Sequence, residues 1–306
     1  MTALERRLRR ASDLTPSRVG VPGTSRFVDV GDVTLHTVLA GPEDGEPVVL
    51  LHGFPEFWYG WHAYLEPLAN AGYRVVVPDQ RGYHRSEKPA AVSAYHPDRL
   101  AGDVCGLLDA LDIQEAHLVG HDWGALVGWW VGLHASERLR TLSILNVPHP
   151  TAFRHALTRN PRQLFRSWYA GFFQLPRIPE LLAPVGNWRV LTDVLEQTSR
   201  PGTFDEADFE RYRTAWGVEG AYRSMLNWYR AVGRANPRPR TERVTPPTLV
   251  LWGANDDFLL ESLAAESTAY CATSRLVVLD DATHWLHHEA EERVLAELTQ
   301  QFRTAH

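Results

Sequence analysis

The chain has 306 residues, 44% hydrophobic and 22% charged, which fits one large α/β unit or a core with an insertion and excludes a disordered or fibrous chain. The net charge of −6 argues against a nucleic-acid partner, and the two cysteines, Cys105 and Cys271, exclude a disulfide framework and read as small buried hydrophobes. No run approaches the ~20 apolar residues of a membrane-spanning helix, and no apolar stretch follows the four arginines of the first ten residues, so a cytoplasmic protein with no membrane partner is expected.

Residues 1–25 read as an N-terminal arm. Arg26–Val30 and Val33–Val38 alternate as strands around a Gly31-Asp32 hairpin turn. A loop from Gly41 to Gly45 leads into the apolar strand Pro47–Leu51, followed at once by His52-Gly53-Phe54-Pro55. Arg74–Val77 is the next strand. The Asp79-Gln80-Arg81-Gly82-Tyr83 loop after it reads as scaffolding, with Asp79 and Arg81 in hydrogen bonds. Asp98–Leu111 places Leu100, Val104, Leu107, Leu108 and Leu111 on one helical face. Ala116–Val119, Leu139–Leu145, Thr248–Trp252 and Leu276–Leu279 complete the strands. Strand and helix alternate, which predicts a mostly parallel sheet flanked by helices.

The alternation stops near Val147 and resumes near Pro247. Residues 148–236 hold helical patterns broken by prolines, twelve arginines against eight acidic residues, and four tryptophans and four tyrosines. The expected organisation is an α/β core over 26–147 and 237–306 with a helical cap at 148–236. With 11 Trp, 10 Tyr and 11 Phe in the chain, the cap reads as a lid over an aromatic-lined pocket.

Gly120-His121-Asp122-Trp123-Gly124 lies between the strand Ala116–Val119 and the helical run Ala125–Leu133. A Gly-x-nucleophile-x-Gly turn between strand and helix is the nucleophile elbow, here with aspartate at its centre. A carboxylate, already ionised at neutral pH, displaces a leaving group from saturated carbon and forms an ester that water must cleave. His284, after the last strand, is the expected base. Asp256 in Trp252-Gly253-Ala254-Asn255-Asp256 is the expected orienting acid, with Asp257 its rival. The order nucleophile, acid, histidine is that of the α/β-hydrolases. The amides of Phe54 and Trp123 are placed to form an oxyanion hole.

These pieces together resemble the epoxide hydrolases of the α/β-hydrolase superfamily, from about residue 26 to the C-terminus. The resemblance implies the α/β-hydrolase fold with an inserted helical cap, and a covalent route to a vicinal diol without cofactor or metal. It carries a catalytic cap tyrosine over to Tyr229, in Asn227-Trp228-Tyr229-Arg230. A second tyrosine is expected before Phe173-Gln174-Leu175-Pro176, where Phe172 stands instead; Tyr169, one helical turn earlier, is the available substitute. Trp168, Tyr169, Phe172 and Trp228 are expected to line the pocket. The expected partner is a small apolar substrate, on a monomer or homodimer. Haloalkane dehalogenation by the same aspartate is the alternative, with Trp123 as one N–H donor to the halide and the cap Trp168 as the second in place of Phe54. A non-catalytic ligand-binding relative is the second alternative.

Overall fold

The computed structural model describes residues 14–305, so residues 1–13 of the expected arm lie outside the described residues. Eight strands form one sheet: β1 (Thr24–Asp29), β2 (Thr34–Ala40), β3 (Glu46–Leu51), β4 (Tyr73–Pro78), β5 (Ala116–His121), β6 (Leu139–Leu145), β7 (Thr248–Gly253) and β8 (Ser274–Leu279). Their order across the sheet is β1-β2-β4-β3-β5-β6-β7-β8. The hairpin at Gly31-Asp32 pairs β1 and β2 antiparallel, with Asp29 opposite Thr34. β2 and β4 are also antiparallel, and every pairing from β4 to β8 is parallel. β5 and β7 are buried at every position. Strands covered on both faces have no polar side to alternate with, which is why they read as continuous apolar runs.

Helices α1 (His62–Asn70), α2 (Pro97–Ala110) and α3 (Trp123–His134) cover the sheet. Ten of the twelve residues of α3 are buried. Its two adjacent indoles are satisfied without water. Trp129 donates to the carbonyl of Val147 at 3.1 Å, and Trp130 to the Asp98 carboxylate at 2.7 Å. Eight of the eleven tryptophans are fully buried, so most of the indoles serve the core. No described helix is long and apolar enough to cross a membrane.

Between β6 and β7 the chain forms seven helices: α4 (Pro150–Arg159), α5 (Pro161–Arg166), α6 (Trp168–Phe172), α7 (Ile178–Leu182), α8 (Arg189–Thr198), α9 (Glu206–Trp216) and α10 (Ala221–Ala235). Several of the prolines that break the sequence pattern start helices, at the first position of α4 and α5 and the second of α7. There proline costs no hydrogen bond, because the first amides of a helix have no partner inside it. α9 opens on a capping box, with reciprocal bonds between Asp205 and Asp208. α10 is tied down at both faces. Trp228 donates to the Arg81 carbonyl at 3.0 Å, and Arg230 pairs with Glu180 at 2.7 Å. The scaffold loop after β4 is held by Arg81, whose guanidinium grips Asp103 at 2.7 and 2.5 Å. Beyond β7 lie α11 (Ser262–Thr268), α12 (Leu286–Glu289) and α13 (Glu291–Phe302).

α3 starts directly against the end of β3. A Cβ on Gly124 would stand 2.3 Å from the carbonyl oxygen of Leu51 and 2.6 Å from that of His52. Both are backbone atoms and cannot rotate away. Gly124→Ala is therefore expected to lower the urea unfolding midpoint, at a cost of at least about 1–3 kcal/mol as the helix is pushed off the sheet.

Candidate active site

Asp122 sits where β5 turns into α3. Its backbone has φ 49° and ψ −122°, a conformation sparsely populated by residues with a Cβ. Such a residue costs on the order of 1–3 kcal/mol and persists only where its surroundings hold it. The holding contact is the turn after β3. A Cβ on Gly53 would fall 2.3 Å from the Asp122 Cβ, so only glycine lets the two loops meet. The Phe54–Pro55 peptide in that turn is cis.

The Phe54 amide donates to Asp122 Oδ1 at 2.7 Å. The Trp123 amide is the first of α3, a position without an intrahelical acceptor. On the other side, His284 Nε2 lies 3.7 Å from Asp122 Oδ2, and His284 Nδ1 lies 2.7 Å from Asp256 Oδ2. Asp256 is buried and Asp257 is exposed, so it is Asp256 that meets the histidine. The Asp256 carboxylate also accepts from the amides of Phe258 and Leu259 and from the Asn146 side chain.

Electrostatics follow from this stacking of charges. Burial works against the ionised form of Asp122. The His284 hydrogen bond and charge, the nearby His121 and the Phe54 amide outweigh it, and the carboxyl is held below its usual range. Burial also opposes a charged His284. The two flanking carboxylates, Asp256 first, overcome this and push it up to about 10. At neutral pH the site therefore holds an imidazolium between two carboxylates.

The His284 loop is fixed from behind. Thr283 donates its amide and hydroxyl to Glu289, each at 2.7 Å. His121 Nε2 donates to the His284 carbonyl at 2.9 Å. The other side of His121 meets Glu56, a fully buried carboxylate that also accepts from His287, His288 and the Tyr212 hydroxyl. The sequence reading missed Glu56, His121 as a participant, and Asn146. The one signal was an acid at 56 inside the otherwise apolar run Phe54-Pro55-Glu56-Phe57-Trp58. Asn146 bridges Asp256 to the Gly253 amide, a link across strand ends that no local pattern carries.

Asp122 and His284 open into a cavity of about 500 Å³. Its walls are mostly apolar, from the strand-end loops below and the cap helices above. Tyr229 and Tyr169 meet there edge to face, with ring centroids 6.0 Å apart. Burial, then the Asp122 charge, raises both phenols well above their ordinary range, so both hydroxyls keep their protons. Phe172 lines the same cavity. Residues 169 and 172 share one face of α6 because they are three apart, so the hydroxyl expected at 172 is available from 169 instead.

Of the four expected pocket residues, Trp168, Tyr169 and Phe172 line the cavity and Trp228 stands elsewhere. Trp228 is fully buried, donates to Arg81 and packs on Tyr83 and Trp123, away from the cavity. Neighbouring helix positions point about 100° apart, so 228 and 229 cannot both face the same space. Trp168 stands at the rim with 66% of its surface exposed. Phe173, Tyr222 and Phe258, which the sequence did not single out, line the walls.

The profile of the alpha/beta hydrolase fold family matches residues 46–291. The chain is 40% identical over 264 residues to the AB hydrolase superfamily protein YfhM of Bacillus subtilis, covering 86% of this chain and 92% of that one. It is 36% identical over 281 residues to epoxide hydrolase 4 of Mus musculus, covering 89% and 77%. Among solved structures, an epoxide hydrolase of Bacillus megaterium in complex with an inhibitor superposes with a TM-score of 0.82 at 27% identity, over 91% of this chain and all of that one.

The raised pKa of His284 has a consequence for stability. A group protonated more strongly in the folded state stabilises it fully below its unfolded value of about 6.5, and that contribution is lost as pH rises towards about 10. Thermal midpoints of the wild type are expected to fall more steeply from about pH 7 to pH 10 than those of His284→Gln. Parallel curves would show that His284 is not charged in the folded chain.

Proposed function

The chain belongs to the α/β-hydrolase family, within the group whose members are named epoxide hydrolases, and we propose that it hydrolyses an apolar or aromatic epoxide to a vicinal diol through an ester on Asp122. The observation that carries this reading is the pair of phenols, Tyr169 and Tyr229, in one cavity with an ionised Asp122.

In the first step a carboxylate oxygen of Asp122 attacks an epoxide carbon and the C–O bond breaks. The oxygen leaves as an alkoxide and takes a proton from Tyr169 or Tyr229. Each such donor aimed at developing negative charge is worth roughly 10²–10³ in rate. The tyrosinate regains its proton from the His284 imidazolium. Esterification makes this transfer favourable, because it removes the Asp122 charge that helped to hold the proton on His284.

His284, now neutral and oriented by Asp256, takes a proton from water. The hydroxide attacks the ester carbonyl, and the amides of Phe54 and Trp123 hold the oxyanion. Collapse releases the diol and restores the Asp122 carboxylate and the His284 imidazolium, so protons balance over the cycle. No step calls for a metal or cofactor. A dehalogenase would need N–H donors around a halide, whereas two phenols line the cavity that holds this nucleophile. Of the two indoles offered for that task, Trp123 packs edge-on against Tyr229 with ring centroids 4.7 Å apart, and Trp168 stands at the exposed rim.

His284→Gln mixed with styrene oxide is expected to gain one substrate mass on Asp122 in intact-mass and peptide spectra. Absence of any adduct across aromatic and aliphatic epoxides would overturn the covalent route. Tyr229→Phe and Tyr169→Phe should each slow ester formation in single turnovers by roughly 10²–10³. If only one does, the other is a wall of the cavity and not a proton donor. Phe172→Tyr should leave the rate near that of wild type, since Tyr169 already supplies the hydroxyl from that face.

A further inference from the structure

Large apolar side chains are exposed at twelve described positions, and ten of these fall between residues 164 and 194. That stretch is α5 to α8, the part of the cap nearest the cavity mouth. Phe165, Trp168, Leu182, Val190 and Val194 are both exposed and part of the cavity wall, so the apolar surface runs continuously from solvent into the site. Leu181 and Val185, 71% and 63% exposed, extend it outward. A patch of this kind on a soluble chain marks a surface that something covers.

Charge indicates what covers it. The whole chain carries −6, yet residues 159–200 hold six arginines and three acidic residues. Arg159, Arg162 and Arg177 are exposed and in no ion pair among the described residues. Arg162 lies on the same short helix as Leu164 and Phe165, and Arg177 directly precedes Ile178. Apolar side chains edged by arginines suit an interface of acyl chains beneath anionic headgroups, with the guanidinium reaching the headgroups and the stem lying on the apolar layer. A second copy of the chain seated here would close the cavity mouth.

We propose that this face of the cap rests on an anionic lipid surface, without spanning it, so that an apolar substrate dissolved in the lipid enters the cavity directly. The route of entry rests on the epoxide-hydrolysis reading, whereas the docking does not. The full chain is mixed with vesicles of phosphatidylcholine, with or without one third phosphatidylglycerol, and sedimented. It should pellet with the anionic vesicles and not with the neutral ones. Leu181→Glu combined with Val185→Glu, two positions outside the cavity wall, should cut the pelleted fraction at least about fivefold. The same variant should turn over a water-soluble epoxide at the wild-type rate. Because residues 1–13 are unchanged in it, a loss of binding assigns the contact to the cap and not to the basic N-terminus. Failure of the wild type to pellet, or equal pelleting of the variant, would overturn the proposal. So would a wild-type dimer in light scattering that the variant dissolves, which would make the patch a contact between copies. A chain that fails in epoxide turnover but still binds vesicles through this face would overturn only the substrate route.

Discussion

One largely enclosed negative charge, on Asp122, organises the site. Behind Asp256 it helps to hold the proton on His284 and, together with burial, it keeps the hydroxyls of Tyr169 and Tyr229 protonated. In the proposed reaction that charge disappears into an ester, and each of these groups changes in the useful direction. The tyrosines lose a repelling neighbour as the alkoxide needs their protons. The histidine loses an attracting neighbour as water needs a base. A serine at the same position carries no charge to lose and would not couple the two steps in this way.

Keeping an ionised carboxylate in a buried place requires compensation, because burial alone would neutralise it. The fold supplies it from elements far apart in the chain: the turn after β3, the loop after β8, and through His284 the loop after β7. All are carboxyl ends of parallel strands, brought to one edge of the sheet by its topology. The strained backbone at Asp122 is held by the same neighbours, with Gly53 the point of closest approach. The Glu56 cluster behind His121 braces the layer beneath.

The helices between β6 and β7 roof the cavity that holds this charge. They contribute the two tyrosines and most of the apolar wall, and their outer face continues that wall into solvent. The substrate class and the exposed patch are therefore two sides of the same short helices.

The elbow, the acid and the histidine were legible in the sequence because each is a local pattern at a strand end, and strands here are apolar runs of distinctive composition. The sheet was legible for the same reason. The choice of Asp256 over Asp257 was not, since adjacent residues in a loop differ only in which way the backbone turns them. The place of Trp228 depended on helix phase, since one position rotates a side chain from cavity to core, whereas Tyr169 could be read as the substitute for Phe172 because three positions return a side chain to the same face. Glu56, His121 and Asn146 were invisible because their partners lie 65 to 232 residues away. The sequence by itself determined which chemistry-bearing groups the chain has and the order in which strand ends present them. Only the tertiary structure decided which of them meet, because hydrogen bonding and charge pairing act over a few ångströms in space, whatever the distance along the chain.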